Sequence, residues 1–193
     1  KKQVSKKAEI AYVNKKLIIA KTRLTQQEID CANDCDIKND CLILTKQEYQ
    51  QSSFRGRKDF KFVIAKNLKS VSSYLFFASN LQLVFMPKVE SIADNAFRCC
   101  PLTAIYFLRV KSVGNYAFSD CRLLNEAFLP ICEQLGKGCF NLCSNIKIFN
   151  LPSVKKIGED QFKGCSSLTE LSIPSVKEVG VDCFFRLWLF AVS

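Results

Sequence analysis

The sequence predicts an α/β repeat solenoid, a stack of coils that each contribute one short strand. Two observations carry this. The run LPSVKKIGEDQFKGCSSLTELSIPSVKEVGVDCF, residues 151–184, holds one full unit and most of the next, and the unit recurs upstream in steps of 21 or 22 residues. Three apolar columns keep step with that period. A fixed period in this range marks units that bury their apolar faces only against their neighbours.

The first column is phenylalanine, at Phe54, Phe76, Phe97, Phe118, Phe140, Phe162 and Phe184. Eight residues before each lies Lys46, Leu68, Val89, Val110, Cys132, Val154 or Val176. Three residues after that one comes Tyr49, Val71, Ile92, Val113, Leu135, Ile157 or Val179. Apart from Lys46, all suit a buried ladder.

The strand of each unit is read from Leu168-Thr169-Glu170-Leu171-Ser172-Ile173-Pro174, an L-x-x-L-x-L pattern closed by proline. Matching segments are Phe60/Val63/Ala65, Leu81/Val84/Met86, Leu102/Ile105/Phe107, Leu124/Ala127/Leu129 and Ile146/Phe149/Leu151. The last two apolar residues of each are two apart, so they point to the same side of a strand. Pro87, Pro130, Pro152 and Pro174 follow, and proline, lacking an N–H, suits a strand end. Cys41 and Ile43 predict one more strand upstream, and Leu17 and Ile19 a further candidate. Thr25 and Glu28 have the spacing of a capping box, which predicts a short helix near residues 26–33. Residues 1–40 are therefore a basic segment with a degenerate first repeat or cap. The solenoid spans 41–184, and 185–193 form an apolar partial repeat.

With SIADNAFRCC, SVGNYAFSDC, QLGKGCFNLC and KIGEDQFKGC before successive strands, residues 42–184 resemble the BspA-like leucine-rich repeat. The resemblance implies a right-handed leucine-rich-repeat superhelix with a parallel sheet of short strands on one face and turns or short helices on the other. It also implies a recognition or surface protein, and it brings no catalytic residues. Lys46 and the weak N-terminal third depart from the pattern.

Composition adds bounds. The 193 residues are 48% hydrophobic, enough for one domain of stacked units. No stretch approaches 18 apolar residues without charge, so no spanning helix is expected. The net charge of +10 is concentrated at Lys1, Lys2, Lys6, Lys7, Lys15, Lys16, Lys21 and Arg23, and at Arg55, Arg57, Lys58, Lys61, Lys66 and Lys69. Such clusters attract nucleic acid or an anionic membrane, or simply solvate the chain. No nucleic-acid module accompanies them.

Eleven cysteines stand beside no histidine. Cys100, Cys121, Cys143 and Cys165 fall three residues after phenylalanine, with Cys99 competing for the first place. There a small side chain packs inside and lends a weak donor to a backbone carbonyl. Cys31, Cys35 and Cys41, and the pair Cys139 and Cys143, are the alternative zinc reading, but four paired ligands are not found. No metal and no cofactor is expected. Odd, unpaired cysteines and no visible signal peptide favour an intracellular setting, with the cell surface or secretion as the alternative.

Without histidine the commonest general base is missing, and no phosphate-binding glycine loop occurs. Gly114, Gly136 and Gly158 read as backbone relief in tight turns. No enzyme and no small-molecule substrate is expected. The expected function is a non-enzymatic scaffold for protein–protein interaction. The alternatives are a surface adhesin, or a nucleic-acid or anionic-membrane binder through the lysine-rich N-terminus.

The binding surface is placed on the outward sheet positions. One outward column reads Ile64, Phe85, Tyr106, Phe128, Asn150 and Ser172, the other Phe62, Leu83, Ala104, Glu126, Ile148 and Glu170. A solvated sheet would carry polar residues there, and a contiguous apolar patch marks an interaction site. Phe62, Ile64, Leu83, Phe85, Tyr106, Phe128 and Ile148 are the candidate partner-binding residues for a protein or peptide. The alternatives are shielding by another part of the chain, or a register off by one. The apolar end, Phe185, Leu187, Trp188, Leu189 and Phe190, is a second candidate, for self-association.

Overall fold

The structure is a computed structural model and describes residues 15–184. The expectations for Lys1, Lys2, Lys6, Lys7 and residues 185–193 lie outside the described residues.

The coils stack through two parallel ladders. The front ladder begins with β2 (Cys41–Leu44), beside which β1 (Asp36–Lys38) folds back antiparallel. It continues through β3 (Phe62–Ala65) and β5 (Leu83–Phe85). A second four-stranded sheet continues the stack next to β5, through β7 (Ala104–Tyr106), β9 (Glu126–Phe128), β11 (Ile148–Asn150) and β13 (Glu170–Ser172). Pairing aligns equal repeat positions, with Phe62 opposite Leu83, Ala104 opposite Glu126, and Asn150 opposite both Phe128 and Ser172. The register is therefore the one read from the columns.

The other face carries turns and a second ladder of two-residue strands. These are β4 (Ser70–Val71), β6 (Ser91–Ile92), β8 (Ser112–Val113), β10 (Gln134–Leu135), β12 (Lys156–Ile157) and β14 (Glu178–Val179). Among the described residues, helix occurs only ahead of the solenoid. It comprises α1 (residues 15–22) and α2 (Gln26–Asp30). Leu17 and Ile19 thus lie in a helix and not in a strand. The capping box of α2 is complete, with Thr25 accepting from the Glu28 amide and Glu28 from the Thr25 amide.

Between the ladders lies the interior. Neighbouring rings of the phenylalanine column sit 5.3–6.3 Å apart, centre to centre, with planes within 14° of parallel. Planes this parallel at such distances are offset stacks, the arrangement the ring quadrupole favours. Phe54 through Phe162 are buried, while Phe184 at the end of the row is half-buried. The turns holding these rings place residues four apart at positive φ, as at Asn95 and Cys99 or Tyr116 and Asp120. Amides inside each turn bond across to the next coil, as Asn95 to Asn115, Phe97 to Ala117 and Cys99 to Ser119. Those cross-bonds hold side chains such as Tyr116 in a conformation L residues ordinarily avoid.

The cysteine column does what its position predicts. Cys100, Cys121, Cys143 and Cys165 donate to the carbonyls of Phe76, Phe97, Phe118 and Phe140, each on the preceding coil, at 2.9–3.2 Å. Those carbonyls already accept an amide within their own coil, so the thiol takes the second lone pair. Of the two competing residues, Cys100 is the buried donor, and Cys99 is exposed at φ +61°. Burial pushes the thiols of Cys100 and Cys165 up to about 12 and raises Cys121 and Cys143 well above the usual range. A thiol-specific reagent on the native protein is therefore expected to label Cys31, Cys35 and Cys99 promptly. The eight buried thiols should react only on unfolding. Prompt labelling of Cys121 or Cys143, mapped by mass spectrometry, would contradict the ladder.

Asp34 ties the N-terminal segment to the first coil. Its carboxylate accepts from the Thr45 amide at 3.0 Å and from the Tyr49 hydroxyl, and pairs with Lys46 at 3.0 Å. Lys46, the misfit of its column, thus serves as an anchor. Burial opposes ionisation of Asp34, but the bonds from Tyr49, Thr45 and Lys46 outweigh it and hold the carboxyl below its ordinary 3.8. A depressed folded-state value gives stability that is complete above the unfolded value and is lost as pH falls through the folded one. Asp34→Ala is expected to cost about 1.5–3 kcal/mol at neutral pH. In thermal melts the gap between parent and variant should narrow below pH 3.8. A gap that is constant with pH would exclude this role.

Candidate functional site

Helix α1 lies on the outer face of the front sheet. Lys15, Ile18, Ile19 and Thr22 form its less exposed stripe, at helical spacing, while Leu17 is 40% exposed. Ile18, with Leu24 and Ile29, packs against Cys41, Ile43, Phe62, Ile64, Leu83 and Ala104 in a second, smaller core. Asn39 donates to the Thr22 carbonyl at 2.8 Å, and Lys66 pairs with Asp30 of α2.

This cover divides the predicted surface. Phe62, Ile64 and Leu83 are buried, so they are not open to a partner while the segment is seated. The correction has a simple cause. An outward strand position is exposed only if nothing folds over it, and residues 15–32 fold over the first coils. Phe85 and Tyr106 are half-buried at the edge of the cover. Phe128 is half-buried farther along, and Ile148 is 57% exposed. The structure therefore brings all seven candidates onto one face but leaves only the later ones accessible. The covered stripe includes polar Lys15 and Thr22, and Leu17 to Ala20 are apolar without a break, so the run carries no helical period.

Strand pairing and burial add two features to the open half. Ile148 stands between Glu126 and Glu170 in one row, since β9, β11 and β13 are in register. Tyr106 is also polarised, because burial and a hydrogen bond to Glu126 raise its phenol. A depression of about 430 Å³ beside this row is lined by Asn125, Glu126, Ala127, Lys147, Ile148 and Asn150.

The second basic cluster is largely engaged within the molecule. Arg55 stacks 4.8 Å from the Phe77 ring centre, Arg57 pairs with Asp59, and Lys61 pairs with Asp40 at 2.7 Å. Lys58 donates to the Ala78 carbonyl. These contacts are exposed and individually weak, but they break the cluster into separate pairs. Among the described residues, no group of three or more His, Cys, Asp or Glu is placed to hold a metal ion. No helix among them is long and apolar enough to cross a membrane.

Comparison with known proteins agrees with this architecture. A leucine-rich repeat protein of T. pallidum superposes with a TM-score of 0.69 at 23% identity, covering 76% of this chain and 77% of that one. One from Bacteroides ovatus ATCC 8483 gives 0.70 at 23%, covering 76% of this chain but only 41% of its own length. At such identities the likeness is one of fold. No curated protein matches by sequence. The family model for the BspA type leucine-rich repeat region matches in six copies, over residues 14–103, 47–166 and 90–190. A match across most of the chain places this protein in the BspA-type leucine-rich-repeat family.

Proposed function

We propose that the protein is a non-enzymatic scaffold that binds another protein through the open half of its front sheet. The binding unit is residues 41–184, wound with the right hand that the family resemblance implies. The observation that carries this is Phe128 and Ile148, apolar side chains at outward positions of the later strands, with Tyr106 half-buried beside them at the edge of the α1 cover. Their inward neighbours, such as Ile105 and Phe149, already fill the interior, so folding does not require them to be apolar. A rigid sheet presents such residues without ordering cost, and aromatic anchors of this kind dominate interface energies.

The test is the double variant Phe128→Ser/Ile148→Ser. Its melting temperature should stay close to that of the parent, because both sites are partly solvated. Affinity for partners captured by the parent should fall by tenfold or more, roughly the loss of one anchoring side chain. A folded variant that retains every partner at full strength would place binding elsewhere.

A further inference from the structure

The way α1 sits on the sheet indicates what fits beside it. Its first described residue, Lys15, holds its ammonium 6.0 Å from the Phe85 ring centre, on the third coil. Its last turn reaches Asn39, which leads into β2, the strand of the first coil. Two coil steps are about 9.6 Å, and eight helical residues span about 10.5 Å from first to last. The helix therefore crosses the strands and runs along the stack. It lays an isoleucine stripe on the aromatic and aliphatic rows while Lys16 and Lys21 stay exposed. Beyond Phe85 the outward rows continue as Tyr106 and Phe128, both half-buried, and Ile148, which is exposed, and there the sheet acquires carboxylates. Glu126 and Glu170 are both exposed, in register, and two coil steps apart on either side of Ile148. The first coils carry apolar residues at the equivalent positions, Phe62 and Leu83.

We propose that the open half of the sheet takes a second amphipathic helix, supplied by a protein partner, in line with α1. Its apolar stripe rests on Tyr106, Phe128 and Ile148, and two lysines set two helical turns apart meet Glu126 and Glu170. Two turns rise about 10.8 Å, close to the ~9.6 Å between those carboxylates. Lys147, at the entrance to β11, lines the same depression as Glu126. This inference rests on the proposed sheet-face binding and adds the chemistry of the partner.

The experiment is fluorescence anisotropy on the full chain with two labelled synthetic helices. Both carry leucines at every third and fourth position, and they differ only in bearing lysine or glutamate pairs two turns apart. The lysine helix is expected to bind, and the glutamate helix to bind roughly tenfold more weakly or worse. In the Glu126→Lys/Glu170→Lys protein the preference should reverse, and Ile148→Ser should abolish binding of either helix. Equal binding of the two helices overturns the proposal, as does binding that survives Ile148→Ser. A protein that binds neither helix and runs as a dimer in light scattering assigns the face to a second copy, which also overturns it. Should the helices fail while Phe128→Ser/Ile148→Ser still abolishes partner capture, only the helix falls and sheet-face binding stands.

Discussion

Phe118→Ala is expected to destabilise the fold by about 3–5 kcal/mol, the largest effect of any single substitution considered. Phe118 is fully buried, with its ring centre 5.3 Å from Phe97, 5.4 Å from Phe140 and 6.3 Å from Phe107. Truncation removes both stacking partners and leaves a void that the cross-bonded turns cannot close. The position matters as much as the burial. Each coil touches only its neighbours, so a defect in a middle coil weakens the coupling between the two halves of the stack. Denaturant melts should show a lower midpoint and a shallower or split transition, because the halves no longer unfold together. Phe184→Ala, half-buried and with one stacked ring among the described residues, Phe162 at 6.0 Å, should cost less than half as much and leave the transition single. Equal losses at the two positions would mean that the rings do not act as a continuous column.

Gly136→Ala is expected to cost about 1–3 kcal/mol through overpacking, while Gly158→Ala in the next coil should be nearly neutral. The two glycines occupy the same repeat position, so the sequence alone does not separate them. A Cβ on Gly136 would lie 2.5 Å from the backbone nitrogen of Asn115 on the preceding coil. On Gly158 the nearest atom would be 3.7 Å away, an ordinary contact. Alanine at Gly158 also restricts the unfolded chain, a gain of about 0.4–1 kcal/mol. Midpoints from chemical denaturation of the two single variants check the contrast. A loss at Gly158→Ala equal to that at Gly136→Ala would contradict it.

These glycines also show where the sequence stopped short. They suggested relief at a tight turn, yet neither has positive φ; Gly136 allows close approach of one coil to the next, while Gly158 has room for a side chain. The left-handed positions are filled mostly by other residues, among them Tyr74, Asn95, Cys99, Tyr116 and Asp120. Hydrogen bonds to the neighbouring coil hold those residues, and such bonds have no signature in composition. The interior was legible for the opposite reason. A column of identical environments demands phenylalanine, cysteine or an aliphatic residue at every turn, and repetition exposes the demand. The cysteine donors could be anticipated because a small weak donor at that point has a carbonyl of the previous coil to meet.

The binding face was legible only in part. That Phe62, Ile64 and Leu83 point outward follows from strand alternation, and it is correct. Whether an outward residue meets solvent depends on a segment far away in sequence. Here that segment is α1, where Leu17, Ile18, Ile19 and Ala20 follow one another without a helical period. Its apolar residues instead suggested another strand. The acidic row beside Ile148 needed the register of three strands before its geometry could be used.

Hydroxyl-radical footprinting of the intact protein, resolved to single residues, tests the central claim most directly. Ile148 and Phe128 are expected to oxidise readily, whereas Phe62, Leu83 and the column Phe97, Phe118 and Phe140 should be strongly protected. Oxidation of Phe118 or Phe140 at the rate of Phe128 would contradict a shared buried spine with one half-open face.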